Sequence, residues 1–276
     1  MSIPLRLFLR ERGLSNSEAK KHLKSGKIWL CGVPTADGGR LIQPDQVEIK
    51  QNAPRMIVGR DPVIVHRDTG FVVVWKPANY LSVPARNRKK QYSASSFVHR
   101  VVGQAHVVHR LDEGTSGLLL VATDEKMQFQ LKSALEQRTI HRRYLALVLG
   151  KVSSGFTIRN SLVRNRGDGL RGSGSQQDGK VAVTHIKPVE KLQGMTLVEA
   201  ELETGRTHQI RIHLSEAGYP VLGDQLYASR RAKMLSPRLA LHAWQLALTH
   251  PVTKQKLNFM APLADDLEQL RRHNKR

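Results

Sequence analysis

The chain after residue 60 consists of short β-branched runs separated by turn residues, and this pattern restricts the fold most strongly. The runs occupy residues 63–65, 71–75, 107–108, 118–121 and 144–149. Runs of this length and composition are typical of β-strands. Helical periodicity is confined to residues 124–138 and 207–217, and no repeat of fixed period occurs. The pattern predicts an α+β domain built on a mostly antiparallel sheet.

Residues 1–55 carry a separate set of helix, turn and strand signals. Ser15 and Glu18 have the spacing of a capping box, and the helix that they begin should end near Ser25-Gly26. Strand-like positions follow at 28–33 and 47–49, with a glycine turn between them. A length of 276 residues accommodates one large domain and a small one. We therefore expect a small α/β domain at 1–55 and a larger domain at 56–276.

The charge of the chain indicates a polyanionic partner. Lysine and arginine number 44 against 23 acidic residues, which gives a formal net charge of +21. Nucleic acid is the commonest partner for such an excess, while a solvated basic surface is the alternative. A membrane surface is disfavoured because no strongly basic amphipathic helix stands out. With no signal peptide or membrane-spanning run either, we expect a cytoplasmic protein, and a monomer by default.

Two basic segments are candidates for RNA contact. Lys20, Lys21 and Lys24 cluster on the second helix, where they form either an RNA-binding face or an ordinary solvated one. The 86–92 segment combines Arg86, Arg88 and Lys89 with an aromatic residue, which suits phosphate contact and base stacking. A stretch rich in glycine and serine at 167–179 should be a mobile loop. The alternative for the 86–92 and 167–179 segments is an ordinary surface loop without a role in binding.

Two further segments carry residues suited to chemistry. Asp112 lies in a turn between two strands, where an aspartate commonly caps local amides, so the residue alone does not decide between structure and catalysis. Arg206 and Arg211 bracket the start of the 207–217 helix, which Thr207 should cap and which should bury Ile210, Leu214 and Ala217. Positive charge is unfavourable at a helix N-terminus. An anionic partner for these arginines is therefore expected, with solvation as the alternative.

Motifs for metals and nucleotide cofactors are missing from the sequence. The single cysteine, Cys31, excludes an internal disulfide and a multi-cysteine zinc site. The histidine spacings match no zinc motif, and no phosphate-binding glycine loop or nucleophile elbow occurs. We expect neither a metal nor a cofactor.

Taken together, several elements closely resemble the RluA-type pseudouridine synthases. The catalytic signature of that family resembles His109-Arg110-Leu111-Asp112 followed by Thr115-Ser116-Gly117. Further elements of the family resemble the segments around Lys76-Pro77, Arg143-Tyr144, 205–213, 222–224, 241–243 and 250–251, in family order over about 200 residues. One departure is Asn79, where a glycine is usual in the family.

The resemblance implies roles for individual residues. It implies a mixed, mostly antiparallel catalytic sheet, with no cofactor or metal. Asp112 would be the nucleophile or base, Tyr144 would pack on the target base, and Arg211 would pair with the carboxylate. Arg110 would fill the space left by the flipped uridine. RNA contact is assigned to three more residues of these elements, namely Lys76, Arg206 and His208.

The front segment resembles the RNA-binding domain of ribosomal small-subunit protein four. The resemblance covers about 50 residues and rests on the 14–21 and 24–28 segments. It departs at Cys31-Gly32, where such domains usually carry an Asn-Gly turn, and at the first helix, where an acidic residue is often found and Arg6 occurs.

The resemblance implies an RNA pseudouridine synthase that isomerises specific uridines. Ribosomal RNA is the first expected substrate and transfer RNA the second. The main alternative is a non-catalytic RNA-binding or ribosome-assembly protein, which the charge and the front segment fit equally well. A base-releasing glycosylase is a weaker alternative, since no second acid stands near Asp112 except Glu113.

Overall fold

The computed structural model describes residues 2–53, 58–85, 92–175 and 177–275, and the first of these ranges forms a small unit. Its elements are β1 (Ile3–Pro4), α1 (Leu5–Glu11), α2 (Asn16–Lys24), β2 (Ile28–Leu30), β3 (Val33–Pro34), β4 (Leu41–Ile42), a short 3₁₀ helix (Pro44–Gln46) and β5 (Val47–Ile49). Strand β1 pairs with β4, while β3, β2 and β5 form a three-stranded sheet. The two helices and these strands enclose a hydrophobic cluster of their own, which includes Leu5, Leu9 and Ile28.

The predicted start of the second helix is confirmed. The Glu18 amide donates to the Ser15 hydroxyl across 3.3 Å, and the Glu18 carboxylate accepts from the Ser15 amide across 2.9 Å. The two residues satisfy two amides that the first helical turn leaves without partners. The helix ends at Lys24, one residue before the predicted stop.

The sequence departs from the families that it resembles at the Cys31-Gly32 turn and at Asn79, and at both places the backbone is left-handed. Cys31 and Gly32 have φ values of 48° and 75° and form the connection between β2 and β3. A two-residue hairpin turn of this kind needs positive φ at both positions, which is why Asn-Gly is the usual pair. Asn79 has a φ of 57°. Asparagine visits this region more readily than most residues, so it can replace the usual glycine here without changing the backbone course.

The remainder of the chain forms one large sheet with helices on both faces. Its elements are β6 (Val63–Arg67), β7 (Phe71–Lys76), α3 (Ala94–Val102), β8 (His106–Val107), β9 (Ser116–Ala122), α4 (Glu125–Glu136), β10 (His141–Leu149), β11 (Phe156–Val163), β12 (Gly172–Ser173), β13 (Lys180–Lys191), β14 (Met195–Leu202), α5 (Gln209–Glu216), α6 (Arg230–Met234), β15 (Leu241–Thr249), β16 (Lys256–Met260) and α7 (Asp265–His273). The strand order is β12-β11-β13-β14-β10-β15-β9-β7-β6, with β16 beside β15 and β8 beside β9.

Strand direction in this sheet agrees with the predicted fold class. Among the named strands of the described residues, β9 and β15 form the one parallel pair and the other pairs are antiparallel. Outside these strands, Leu81 and Ser93 form an isolated parallel bridge. The expectation of a mixed, mostly antiparallel sheet is therefore confirmed. In the described ranges, no helix is both long enough and apolar enough to cross a lipid bilayer.

Both faces of the sheet are covered, which explains the continuous apolar run in β7. Phe71, Val73 and Trp75 pack on one face together with residues of α4. Val72 and Val74 pack on the other face together with residues of α3 and α5. Alternate residues of a strand point to opposite faces, so a strand that is buried on both sides must be apolar throughout.

The small unit docks along α7 through polar contacts with residues at both ends of the helix. The Asp265 carboxylate accepts from the Thr35 hydroxyl and the Ala36 amide, each across 2.8 Å. Arg40 lies 3.6 Å from the same carboxylate, and Arg272 of α7 pairs with Asp37. Val33 also joins a hydrophobic cluster of the large sheet. The division between 1–55 and 56–276 stays a prediction, but the two parts share a contact surface.

Several local expectations differ from the structure. Thr207 does not cap α5: the N-cap residue is His208, whose φ is 60° and whose side chain makes no cap hydrogen bond. Ala217 is exposed rather than buried because the helix ends before it. The 167–179 stretch is not wholly irregular, since β12 within it pairs with β11.

Candidate active site

Asp112 lies in the loop between β8 and β9, at one end of the large sheet. The backbone oxygen of Asp112 accepts from the Thr115 amide across 3.0 Å and closes the predicted turn. The carboxylate itself caps no local amide in the described part of the chain. It accepts instead from Nη1 of Arg211 across 3.1 Å. The backbone oxygen of Asp112, not its side chain, therefore stabilises the turn. This leaves the carboxylate available for chemistry.

Arg211 lies in the first turn of α5 and is held by a second carboxylate. Its Nε and Nη2 donate to the two oxygens of Asp224 across 2.8 Å and 2.7 Å. Asp224 is buried and also accepts from the amides of Leu226 and Tyr227. Burial raises the pKa of Asp224, but Arg211 and these amides outweigh it and the net pKa is lowered. The anionic partner expected for Arg211 is therefore present, and it fixes the guanidinium that faces Asp112.

His208 and Tyr227 complete the surroundings of the Asp112 carboxylate. Nε2 of His208 lies 3.9 Å from Oδ1 of Asp112, and its Nδ1 is 2.8 Å from the Tyr227 hydroxyl. The Arg211 guanidinium stacks over the Tyr227 ring at 5.1 Å from the centroid. Burial lowers the pKa of His208, an effect that Asp112 opposes and Arg211 supports. The imidazole is therefore neutral at pH 7 and does not compete with Arg211 as a cation.

Tyr144 stands on β10, near the middle of the sheet, and is buried. Burial raises the pKa of its hydroxyl, which stays neutral. Together with the Asp112 loop and the start of α5, it encloses a cleft of about 1140 Å³. The cleft brings together the predicted site residues Arg110, Asp112, Tyr144, Arg206, His208 and Arg211.

Lys76 does not lie where an RNA contact requires it. Its side chain is fully buried, and Nζ donates to the backbone oxygens of Pro77, Tyr80 and Glu113. Burial lowers the pKa of Lys76 to about 7, although the charge of Asp112 acts in the opposite direction. The expectation that Lys76 contacts RNA is wrong, because its ammonium joins the 76–80 loop to the Asp112 loop.

Six of the remaining predicted RNA-contact residues lie outside the cleft or outside the described ranges, whereas Arg206 lines the cleft. Lys20, Lys21 and Lys24 are exposed on α2 and line a separate surface groove. Arg86, Arg88 and Lys89 fall in the 86–91 gap between described ranges. Arg206 is exposed, and its Nε donates to the Val181 oxygen across 3.1 Å.

Sequence reasoning missed three residues of this site: Arg142, Asp224 and Tyr227. Asp224 was part of a matched segment, and the requirement of Arg211 for an anion was the signal that could have assigned it a role. Arg142 stands two residues before Tyr144 on the same strand, so strand alternation places both on one face. In the described ranges, no group of three or more histidine, cysteine, aspartate or glutamate side chains could hold a metal ion.

Comparison with known protein families matches residues 70–216 to RNA pseudouridylate synthase. The matched region contains Asp112, Tyr144 and Arg211 and covers more than half of the chain. This chain belongs to the RNA pseudouridylate synthase family. The predicted isomerase class is thereby confirmed at the level of the family, and RNA follows as the class of substrate.

Individual relatives agree with this assignment. The chain is 39% identical over 219 residues to a ribosomal large subunit pseudouridine synthase D of Nitrosomonas europaea, which covers 75% of the chain and 63% of that protein. It is 39% identical over 203 residues to a dual-specificity RNA pseudouridine synthase RluA of Pasteurella multocida. The match covers 73% of this chain and 93% of that protein. The solved structure of human RNA pseudouridylate synthase domain containing 1 superposes with a TM-score of 0.62 at 26% identity, covering 74% of this chain and 84% of that one.

Proposed function

We propose that this protein converts uridine to pseudouridine in large-subunit ribosomal RNA, with Asp112 as the nucleophile or base. The observation that carries the proposal is the contact between Asp112 and Arg211 inside the cleft. The fixed guanidinium orients the Asp112 carboxylate inside the cleft that would receive the uridine. A protein that only bound RNA would gain nothing from a carboxylate facing a polyanion.

The reaction matches what these side chains can supply. The bond between a ring nitrogen of uracil and the ribose is broken, and the ribose is rejoined to ring carbon five. Carbon five gives up its proton and the freed nitrogen takes one up, so the reaction involves no redox change and no added group. The detached uracil carries the negative charge of the broken bond, so the reaction needs no external leaving-group activator. The enzyme must provide an ionised carboxylate, a cation that orients it and a closed space that retains the base.

Tyr144 and Arg110 serve the entry of the base. A stacked uridine must leave its helix before it reaches Asp112, which costs a few kcal/mol. Stacking on an aromatic ring returns about 1–3 kcal/mol, and Tyr144 presents such a ring on the floor of the cleft. Arg110 is exposed at the edge of the same cleft, where it can take the place that the flipped uridine vacates.

The choice of RNA rests on the relatives. The Nitrosomonas europaea protein is named for the ribosomal large subunit, and this supports large-subunit RNA as the first candidate. The Pasteurella multocida relative is named a dual-specificity enzyme, which keeps transfer RNA as a second candidate. Exposed lysines on α2 support a front segment that adds phosphate contacts in either case.

The test is a comparison of two purified RNA classes. Large-subunit ribosomal RNA and bulk transfer RNA, both lacking modifications and both labelled with tritium at uracil carbon five, are incubated with the protein. Tritium release from the ribosomal RNA, followed by mapping of the modified uridine, is the expected result. Release from transfer RNA alone would move the assignment to the second candidate, and no release from either would overturn the proposal.

A further inference from the structure

Arg142 is a buried cation that no other group in the described protein neutralises. It is 8% exposed, its Nε has no hydrogen-bond partner, and no carboxylate of the described residues lies within ion-pair distance of it. A buried charge without a partner is costly, and proteins normally pair such groups. An unpaired guanidinium at the surface of a ligand cleft therefore indicates that the partner arrives with the ligand.

Two acidic side chains on and beside the neighbouring strand β14 are committed to other cations. Glu203 accepts from Arg138 across 2.6 Å and lies 2.8 Å from His185. Glu201 accepts from Arg143 across 3.1 Å. Arg142 is thus left free on a strand whose other arginine is paired.

The position of Arg142 ties it to the bound nucleotide. Arg142 and Tyr144 alternate on one face of β10, and both line the cleft that contains Asp112. The charge of Arg142 lowers the pKa of Tyr144, against the larger effect of burial, as expected of a near neighbour. Any nucleotide that places its base against Tyr144 brings its own backbone close to the guanidinium.

Gly205 leaves the space that the guanidinium occupies. A Cβ at this position would lie 2.6 Å from Nη1 of Arg142. Since Nη1 is the far end of a flexible side chain, a methyl group there would displace the guanidinium rather than the backbone.

We propose that Arg142 binds a phosphate of the substrate RNA that flanks the target uridine. A planar guanidinium donates to phosphate oxygens through two parallel hydrogen bonds, and the Arg142 side chain lines the cleft that would receive the nucleotide. This inference rests on the proposed function only in taking RNA as the ligand. It is tested by binding, so its failure is separate from a failure of turnover.

The first experiment measures the dissociation constant of R142Q for a short RNA with one uridine in a cytidine context. We expect the constant to rise at least tenfold and the salt slope to fall by about 0.7, the value for one phosphate contact to single-stranded RNA. The matched control is R143Q on the same strand, which removes an arginine already paired with Glu201 and should leave both quantities unchanged. Unchanged binding by a folded R142Q, or an equal loss in R143Q, would overturn the proposal.

Two further measurements do not depend on how R142Q folds. In the wild-type protein, a single neutral methylphosphonate next to the uridine should weaken binding, and the same change farther away should not. In G205A, the displaced guanidinium should reproduce the loss of affinity. A methylphosphonate scan with no position-specific effect contradicts the assignment. A loss of kcat in R142Q at unchanged affinity contradicts it as well, because it would show that Arg142 acts on the reacting base.

Discussion

Arg211 donates to Asp112 across 3.1 Å, although 99 positions separate the two residues in the chain. The same guanidinium is held on its other edge by Asp224 through two shorter hydrogen bonds. Because a buried carboxylate fixes Arg211, the remaining nitrogen has one direction in which to donate. Asp112 is therefore oriented by a cation that cannot turn away toward a phosphate.

Replacing Asp112 by asparagine should abolish turnover and spare binding. The amide has nearly the same shape but no negative charge, so it can neither attack the nucleotide nor act as a base. It also removes a repulsion toward phosphate, so RNA affinity should stay within a few-fold of the wild type. Tritium release from RNA labelled at uracil carbon five, together with a binding isotherm, measures both quantities.

The control for this substitution is Asp168→Asn, which changes an exposed aspartate paired with Arg166. It should turn over RNA at the wild-type rate. Wild-type release of tritium by Asp112→Asn would remove Asp112 from the catalytic role.

Replacing Asp224 by asparagine should lower kcat more than it raises KM. The amide cannot hold both edges of the Arg211 guanidinium, so Asp112 loses its fixed partner. We expect kcat to fall by about 10- to 100-fold, the range that loss of a positioning partner typically costs. Breaking a buried ion pair also costs about 3–5 kcal/mol of unfolding free energy, so rates are measured well below the melting temperature.

Asp266→Asn separates these two effects. Asp266 holds Arg238 in the same two-bond arrangement, and neither residue lines the cleft. It should lower stability while leaving kcat near the wild-type value. Equal losses of kcat in both variants would show that Asp224 acts through stability alone.

The sequence located Asp112 and Arg211, the pair proposed for catalysis, but not the geometry that joins them. Asp112, Tyr144 and Arg211 were placed by their motifs, because local spacing defines each motif. Asp224 was not assigned a role, since its pairing with Arg211 depends on how α5 packs against the 222–227 segment. Lys76 was misplaced for a related reason: a lysine is rarely fully buried, and only the packed structure shows that this last residue of β7 donates to three backbone oxygens.

The strands were predictable where burial makes their sequences uniformly apolar. Strands β7 and β9 are buried on both faces and were recognised from composition. Strands β11 and β13 were not named, because exposed polar residues interrupt them and their partners are distant in the sequence. Helix α7 was missed as well, since few of its side chains are buried and its role is to dock the small unit.

The free energy of unfolding should decrease as the pH is lowered from about 6.5 to about 5, a range in which most carboxylates have not yet titrated. Burial lowers the pKa of His109 and His242 to about 3 and that of His213 to about 4. In this window the unfolded chain binds protons at these histidines and the folded protein does not, so acid favours unfolding. Three such groups give a slope of up to about 4 kcal/mol per pH unit. Urea unfolding at several pH values measures it.

His213→Gln tests the origin of this slope. The amide can replace the contacts of the ring with Thr184 and Asn160, but it binds no proton in this range. The slope of the unfolding free energy should fall by about a third. A flat profile in the wild type, or an unchanged slope in the variant, would contradict the assignment of these histidines.

The lysines of α2 should contribute RNA affinity and no chemistry. Lys20, Lys21 and Lys24 are exposed, have no ion-pair partner among the described residues and lie outside the cleft. Deleting residues 1–55 would test this poorly, because it would remove the contacts of Asp265 with Thr35 and Ala36.

The better variant changes the three lysines of α2 to glutamine in the intact chain. If all three contact single-stranded RNA, the salt slope should fall by about two units. At saturating RNA, kcat should be unchanged, since the residues proposed for catalysis, Asp112, Tyr144 and Arg211, are untouched. The matched control changes Lys187, Lys191 and Lys254, which are exposed outside both the cleft and the α2 groove, and it should keep the wild-type slope. An unchanged slope in the α2 variant would make these lysines an ordinary solvated face, and equal reductions in both variants would assign the effect to net charge alone.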